Sequence, residues 1–342
     1  MSALLEVRAC GPALTVQDQG RSGFLAQGLT RGGAADLLAL FEGAALLSQS
    51  PELAALEMVG MGGTFQAHAD MRIALTGAPM AATLDDAPLT WHASHLLPAG
   101  STLKIGGAQK GTYGYLHVGG GINTPAMMGG RGTHLSAGLG AAIGAGDMLP
   151  KGQDKGTSTG MTLPVDDRWD GGPIRIIASM QTEQFDTETQ QRFAATEFRR
   201  DARANRMGVR MDFDGEGFAA KDQLSILSDV IVPGDIQIAG DGAPFVLMCE
   251  CQTTGGYPRI GTVLPCDLGR VAQAPAGASL SFQFIDMEHA RAIEKRAMEQ
   301  RANLGQTVTP LLRDPHTMRD LLSYQLISGA VSATANPFEN EE

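Results

Sequence analysis

One polar run, Gln252-Thr253-Thr254-Gly255-Gly256-Tyr257-Pro258-Arg259, separates two apolar stretches that alternate as β-strands do. Residues 245–251 predict the first strand, and residues 260–264 predict the second. Glycine accepts positive φ and proline fixes φ, so the run predicts a tight turn at Gly255-Gly256 and Pro258. A turn alone does not require the neighbouring amide, hydroxyl, phenol and guanidinium groups. Spacing leaves two interpretations open, an ordinary polar hairpin and a binding loop.

Three further motifs occur in the chain, and with the first run they carry a family resemblance. They are Thr15-Val-Gln-Asp-Gln-Gly-Arg21, Ala74-Leu-Thr-Gly-Ala78 and Arg206-Met-Gly-Val-Arg210. Together with the region from Cys251 to Gln273, they resemble the allophanate hydrolase subunit 2 family. That family is also described as carboxyltransferase subdomains A and B, and as the C subunit of the ATP-dependent 5-oxoprolinase. Four motifs in the family's order, from about Leu4 to about His289, make the resemblance specific.

Several positions depart from the family's pattern by losing a hydroxyl or a charge. The family usually has Ser-Gly-Ala where this chain has Gly32-Gly33-Ala34, and it places serines beside the arginine where this chain has Gly130 and Gly132. Relatives more often carry Ser-Asp before Arg206, whereas this chain has Ala204-Asn205. These changes allow a divergent member with a different substrate.

The composition indicates a mainly β protein built from many short strands. Alternation of apolar residues predicts strands at residues 64–67, 71–75 and 112–118, and residues 182–198 predict a short helix. The chain has 342 residues with 44 glycines and only 5% aromatic residues, which is typical of a backbone that turns often. The phrases Pro98-Ala-Gly-Ser-Thr-Leu103 and Pro275-Ala-Gly-Ala-Ser-Leu280 echo each other, which indicates a duplicated β unit. The resemblance implies two related cyclophilin-like β-barrel domains with a cleft between them and a few peripheral helices.

We expect five regions along the chain. Residues 1–149 form a β domain similar to subdomain A, and residues 173–286 form one similar to subdomain B. Residues 150–172 are polar and without periodicity, which predicts a linker. Residues 287–330 predict a helical extension, and residues 331–342 predict a disordered tail.

The composition also excludes several classes of function. A net charge of −11 argues against nucleic acid, whose phosphates the protein would repel. The four cysteines form neither a disulfide pattern nor a metal-binding spacing, so we expect no metal site. No apolar run is long enough to span a bilayer and the first ten residues do not resemble a signal peptide, so we expect a cytoplasmic protein without membrane contact.

The polar motifs predict a site that binds a small amide or carboxylate and stabilises an oxyanion, because guanidinium, amide and hydroxyl groups suit that task. No nucleophile–base pair stands out, so the sequence assigns no catalytic residue. Neither a P-loop nor a G-x-G-x-x-G pattern occurs, so ATP would act through a complex and not through this chain. The candidate binding residues are Arg21, Arg131, Arg206, Gln252, Thr253, Thr254, Tyr257 and Arg259.

The resemblance implies three alternative functions. The first is the C subunit of an ATP-dependent 5-oxoprolinase-like hydrolase, working with a B subunit and with an A subunit. The second is a carboxyltransferase subunit of a biotin-dependent urea carboxylase, with carboxybiotin carried by another chain. The third is a non-enzymatic partner that regulates a B-subunit-like kinase inhibitor. In the first two cases we expect this chain to be inactive alone.

Overall fold

Short strands make up most of the structure, a computed structural model that describes residues 4–220 and 228–312. The strands in the first part of the chain are β1 Leu4–Cys10, β2 Thr15–Gln17, β3 Ala55–Val59, β4 Gly63–Ala67, β5 Met71–Gly77, β6 Met80–Leu84, β7 Ala87–Pro88, β8 Ala93–Leu97, β9 Thr102–Ala108, β10 Tyr113–Val118, β11 Met148–Pro150 and β12 Met161–Thr162. The later strands are β13 Gly172–Ile177, β14 Phe198–Arg200, β15 Gly208–Asp212, β16 Asp229–Val230, β17 Asp235–Ile238, β18 Pro244–Leu247, β19 Thr254–Gly255, β20 Arg259–Val263, β21 Ser279–Phe284 and β22 Thr309–Pro310. The α-helices are α1 Leu37–Leu47, α2 Thr187–Ala195, α3 Leu268–Gln273 and α4 Met287–Ala302. Among the described residues, no helix is both long and apolar enough to cross a membrane.

The first half of the chain, joined by the late strand β22, forms two sheets, which we call the sheet half. One sheet has the strand order β11-β1-β4-β9-β6-β7, and the other has the order β2-β3-β10-β5-β8-β12-β22. Leu5, Val7 and Phe65 are among the apolar residues that fill the core of this half. Strands β5 and β10 are buried along their whole length, and α1 packs against both of them. Their polar side chains are buried as well, namely Arg72 and Thr76 of β5 and His117 of β10.

The second half forms a closed barrel, which we call the barrel half. Its strand order is β13-β20-β17-β18-β15-β14-β21, and the barrel closes through a parallel pair between β13 and β21. Phenylalanine rings fill its centre: Phe193 lies 5.1 Å from Phe198, 5.3 Å from Phe218 and 5.3 Å from Phe282, measured between ring centroids. The prediction of a mainly β protein is therefore confirmed. The duplication of one β unit stays a prediction, which superposition of the two halves would test.

The two halves share one continuous core instead of meeting through a solvated gap. Ala35, Leu40 and Tyr115 of the sheet half belong to the same buried cluster as the barrel's phenylalanines. Gln273 at the end of α3 is fully buried, and its side-chain oxygen accepts hydrogen bonds from the backbone N–H groups of Thr112 and Tyr113, both at 2.9 Å. Its amide nitrogen donates to Asp36 at 2.8 Å. Apolar packing and hydrogen bonds thus join the halves together.

The segment expected to be a linker is integrated into the fold. Within residues 150–172, β12 pairs with both β8 and β22, and the guanidinium of Arg168 is buried. Arg168 donates to Asp36 at 2.7 Å and to Glu42 at 2.8 and 2.9 Å. Polar groups of this segment pair with the sheet half, Arg168 with Asp36 and Glu42 and Asp154 with Arg72, and composition alone does not distinguish such a segment from a solvated linker.

Two predicted helical regions are shorter than the sequence indicates. Residues 182–198 do not form one helix: α2 covers Thr187–Ala195, and Phe198 already lies in β14. The C-terminal extension begins as the predicted helix α4, but Thr309–Pro310 returns as strand β22 and joins the sheet half. The rest of the predicted extension and the predicted tail lie outside the described residues.

A buried histidine predicts that acid destabilises the sheet half. His117 is 3% exposed, its Nε2 lies 2.8 Å from Thr76 Oγ1, and burial lowers its pKa from 6.5 to about 3. Because the folded pKa lies below the unfolded one, the unfolded state binds more protons as the pH falls from 6.5 toward 3, and stability is lost in that window. Between pH 7 and pH 5 this one group should remove about 2 kcal/mol from the free energy of unfolding.

Urea unfolding at both pH values tests this prediction with two variants. His117→Gln should lose less stability than the wild type between pH 7 and pH 5, because glutamine does not titrate. His68→Gln is the control, since His68 is exposed and pairs with Glu6 at the surface. An equal pH dependence in wild type and His117→Gln would contradict the assignment.

Candidate functional site at the junction of the two halves

The polar run at 252–259 lies where the barrel half meets the sheet half. Strand β18 ends at Leu247, earlier than the sequence predicts, and residues 248–251 turn toward the sheet half. There the carbonyl of Cys249 accepts from the N–H of Gly32 at 3.1 Å, and the carbonyl of Cys251 accepts from the hydroxyl of Thr30 at 3.0 Å. These bonds hold the loop before α1 against the start of the polar run.

The predicted tight turn at Gly255-Gly256 is wrong. Thr254–Gly255 forms strand β19, which pairs with Asp229–Val230, and neither glycine has a positive φ. A Cβ at position 255 would lie 2.5 Å from Gln237 Nε2 and 3.0 Å from Ile231 Cδ1, so a larger residue would require these two side chains to shift. The run is thus an extended segment between β18 and β20, and its strand β19 pairs with β16 in a two-stranded sheet.

The predicted side chains of this run present free polar groups. Gln252, Thr254 and Tyr257 are exposed, and Thr253 is half-buried. Within the described part of the chain, none of these four side chains forms a hydrogen bond. The Thr253 hydroxyl faces the sheet half, 4.0 Å from where a Cβ of Gly28 would lie. These groups are therefore available to a ligand at the junction.

A histidine cluster, formed by Thr30, His134, Ser136 and Glu250, lies directly beside the run. His134 is 3% exposed; its Nε2 lies 3.0 Å from Thr30 Oγ1, and its Nδ1 lies 3.1 Å from Ser136 Oγ and 3.8 Å from a carboxylate oxygen of Glu250. Since the Thr30 hydroxyl gives its only proton to the carbonyl of Cys251, the imidazole donates from Nε2 and accepts at Nδ1. Burial lowers the pKa of His134, and Glu250 opposes that shift.

Behind the histidine cluster, Arg206 holds two buried carboxylates. Its guanidinium donates to Glu250 at 2.5 Å, to Glu57 of the sheet half, and to the carbonyl of Gly33 at 2.6 Å. The Tyr115 hydroxyl donates to the other oxygen of Glu57 at 2.7 Å. Burial disfavours the charge on Arg206, but the two carboxylates outweigh it and hold its pKa well above the usual range.

Three of the predicted arginines have partners within the protein. Arg206 binds the two glutamates, and Arg259 pairs with Asp229 and Asp235 and is 7% exposed. Arg131 donates to the side chain of Asn123 at 2.6 Å. These contacts give the three arginines positioning roles that the motifs do not reveal, and their contact with substrate stays a prediction.

Arg21 is the predicted arginine that keeps a free donor. Its side chain is 3% exposed and donates to the carbonyls of Gly132 at 2.5 Å and Met127 at 3.2 Å, while its NH1 nitrogen has no partner among the described residues. A Cβ at Gly32 would lie 3.9 Å from that nitrogen and 3.0 Å from the His134 ring. A buried guanidinium nitrogen without a partner is costly unless a ligand or water satisfies it.

The missing hydroxyls beside Arg131 have a steric explanation. A Cβ at Gly132 would lie 2.6 Å from Asp18 Oδ1, and one at Gly130 would lie 3.3 Å from Asp18 Oδ2. Asp18 needs this close approach, because its carboxylate accepts from the N–H of Arg131 at 2.6 Å and from that of Gly20 at 2.8 Å. Glycine at positions 130 and 132 therefore allows the loop that carries Arg131 to pack closely against the loop that carries Asp18 and Arg21.

Sequence reasoning missed the histidine cluster. Its members come from three segments, each more than 100 residues from the next in the chain. One signal was available: Glu250 is a charged residue inside an apolar run, and such a residue usually has a buried partner. Among the described residues, no group of three or more His, Cys, Asp or Glu side chains could hold a metal ion.

A cleft of about 870 Å³ lies elsewhere, lined by residues of α1, α3 and α4. Its inner charges are already paired: Arg168 binds Asp36, Glu42 and Asp166, and Arg175 binds Asp267. The junction is therefore the better candidate site, because its donors lack partners.

Comparison with known proteins identifies the family. Residues 27–284 match the family model described as carboxyltransferase domain, subdomain A and B. The chain is 34% identical over 289 residues to the C subunit of 5-oxoprolinase from Haemophilus influenzae, covering 82% of this chain and 91% of that protein. It is also 34% identical over 307 residues to the C subunit of 5-oxoprolinase from Escherichia coli, covering 87% of this chain and 98% of that protein.

A solved structure agrees on the fold. The Kluyveromyces lactis urea carboxylase superposes with a TM-score of 0.79, covering 92% of this chain and 31% of that chain at 22% identity. Together with the family model, which spans most of the described residues, this confirms the resemblance that the motifs carry. The chain is a member of the carboxyltransferase family, subdomain A and B.

Proposed function

We propose that this chain is the C subunit of an ATP-dependent 5-oxoprolinase-like hydrolase. The observation that carries the proposal is the set of unpartnered donors at the junction, namely Arg21 NH1 and the side chains of Gln252 and Thr253. They occur in a protein that matches the C subunits of two 5-oxoprolinases over nearly their whole length. A small cyclic amide with a carboxylate offers these donors two kinds of acceptor oxygen. The guanidinium, held by two backbone carbonyls, is well suited to the carboxylate, and the hydroxyl and amide groups can donate to the developing oxyanion.

The site would be completed by partner subunits. Exposed apolar side chains occur on each segment that reaches the junction: Leu25 is 39% exposed, Leu135 is 43% exposed and Tyr257 is 50% exposed. Such a rim gives a partner an apolar surface to cover. A B subunit would cover this face, an A subunit and the B subunit would supply ATP binding, and the complex would work in the cytoplasm.

Reconstitution tests the proposal. Purified alone, the chain should show negligible ATP-dependent hydrolysis of 5-oxoproline; addition of B and A subunits should restore turnover, measured as glutamate formed. Robust turnover by the lone chain would contradict the dependence on partners. No turnover in the assembled complex would contradict the substrate assignment.

A second candidate is the carboxyltransferase activity that gives the family its description. In that case a separate biotin carrier would bring carboxybiotin to the junction, and the free donors would bind urea or another small amide. Supplying carboxybiotin and urea to the chain with its partners distinguishes the two, since only a carboxyltransferase would carboxylate urea. If the complex forms but neither reaction occurs, the chain is better explained as a regulatory partner.

A further inference from the structure

Ser136 is an exposed hydroxyl that contacts a buried base. It lies in a single 3₁₀ turn, Leu135–Ala137, at the surface of the junction, while His134 two residues earlier is 3% exposed. Ser136 Oγ lies 3.1 Å from His134 Nδ1, whereas its alternative acceptor, the carbonyl of Glu250, is 3.5 Å away. The shorter contact directs the hydroxyl proton to the imidazole.

The rest of the histidine cluster prepares His134 to take that proton. Thr30 fixes the tautomer, because its own proton goes to the carbonyl of Cys251 and it therefore accepts from His134 Nε2. The Glu250 carboxylate, 3.8 Å from Nδ1, would stabilise the imidazolium that forms, and Arg206 holds Glu250 in place at 2.5 Å. A nucleophile, a base in hydrogen-bond contact and a group that orients the base form the arrangement that activates serine hydroxyls.

We propose that Ser136 is the acyl-accepting nucleophile of this subunit and that His134 is its general base. The assignment adds a residue role to the proposed function. The expectation that the natural substrate is a small amide rests on that function. The nucleophile itself is a property of this chain and requires no partner protein.

The acyl transfer at Ser136 balances with the amide and water as reactants, and the ATP of the proposed function would be consumed at the partner subunits. Ser136 Oγ bonds to the carbonyl carbon of the amide while its proton moves to His134 Nδ1. The carbon–nitrogen bond then breaks, and the leaving nitrogen takes the proton from Nδ1. Water, deprotonated at the same nitrogen, hydrolyses the acyl-serine and returns the proton to Ser136.

Covalent labelling of the purified chain tests the nucleophile. A fluorophosphonate probe should modify the peptide that contains Ser136, forming an Oγ–phosphorus bond with loss of fluoride, as detected by mass spectrometry. Ser136→Ala should abolish this label. Ser22→Ala should leave it unchanged, since Ser22 is another exposed serine near the junction but does not contact a histidine. His134→Gln should slow labelling on the order of a hundredfold.

A cysteine variant keeps the test valid even if the buried His134→Gln variant does not fold. In Ser136→Cys, the thiol proton should pass to His134 Nδ1 and the resulting imidazolium, facing Glu250, should stabilise the thiolate. Alkylation by iodoacetamide at residue 136 should therefore become half-maximal below about pH 7.5. An ordinary thiol titrates near pH 8.5. A value near 8.5, or a wild-type chain whose Ser136 the probe does not modify, would overturn the proposal.

The outcome is independent of the reconstitution experiment. Labelling of Ser136 in a chain whose complex does not hydrolyse 5-oxoproline would keep the nucleophile and reject the substrate. Full 5-oxoproline hydrolysis by a complex that contains Ser136→Ala would reject the nucleophile and keep the function.

Discussion

Replacing Arg206 by alanine should lower the free energy of unfolding by about 3–5 kcal/mol. The arginine lies between Glu57 and Glu250, which are 0% and 3% exposed, so its removal leaves two buried carboxylates without a cation. Urea unfolding of the variant and the wild type measures the loss.

Arg203→Ala is the matched control for this prediction. Arg203 lies three positions away and also pairs with a carboxylate, that of Asp201, but its side chain is 75% exposed. Exposed pairs contribute about 0–1 kcal/mol, so this variant should remain close to the wild type. Equal destabilisation by the two substitutions would show that Arg206 does not neutralise buried charge.

Substitution of Arg21 by methionine should reduce kcat/KM of the assembled complex on the order of a hundredfold. The change removes the free NH1 donor beside His134 and Gly32, which we assign to an oxygen of the substrate. Methionine is also apolar and fills much of the same space, so the loop packing is partly kept. Steady-state hydrolysis of 5-oxoproline with both partner subunits present measures the loss.

Arg131→Met distinguishes ligand binding from loop support. Arg131 lies on the neighbouring loop, and its guanidinium donates to Asn123. Among the described residues, it forms no hydrogen bond or ion pair with a member of the histidine cluster. We expect its effect on kcat/KM to be less than tenfold, and millimolar guanidine should partly rescue Arg21→Met alone. Equal losses without rescue would mean that Arg21 only holds the loops.

Alternation of apolar residues predicted much of the fold. The predicted strands 64–67, 71–75 and 112–118 lie within about two residues of β4 Gly63–Ala67, β5 Met71–Gly77 and β10 Tyr113–Val118. The prediction failed at residues 182–198 because tertiary packing overrides local pattern: Phe198 enters the barrel core as part of β14, 5.1 Å from Phe193. It also failed at Gly255, which lies in strand β19 and has no positive φ.

The site was predicted in part, and the reason is the distance in sequence between its members. The motifs indicated Arg21 and the polar run, each of which is contiguous in the chain. His134, Ser136 and Thr30 are single residues that acquire a role only when residue 30 meets residue 251 across the junction. No local pattern in a single sequence shows that residues 30 and 251 come into contact.

The buried ion pairs across the junction also have a consequence for biosynthesis. A ribosome makes the sheet half first, and at that stage Glu57 has no arginine, since its partner is residue 206. Asp36 and Glu42 pair with Arg168, which is synthesised later. Asp36 also accepts from the amide of Gln273, which is synthesised later still. The nascent sheet half therefore carries unneutralised acidic groups on the face that the barrel later covers. We expect those charges to keep this face hydrated during translation, so the docking of the two halves should be a late step that follows synthesis of Gln273.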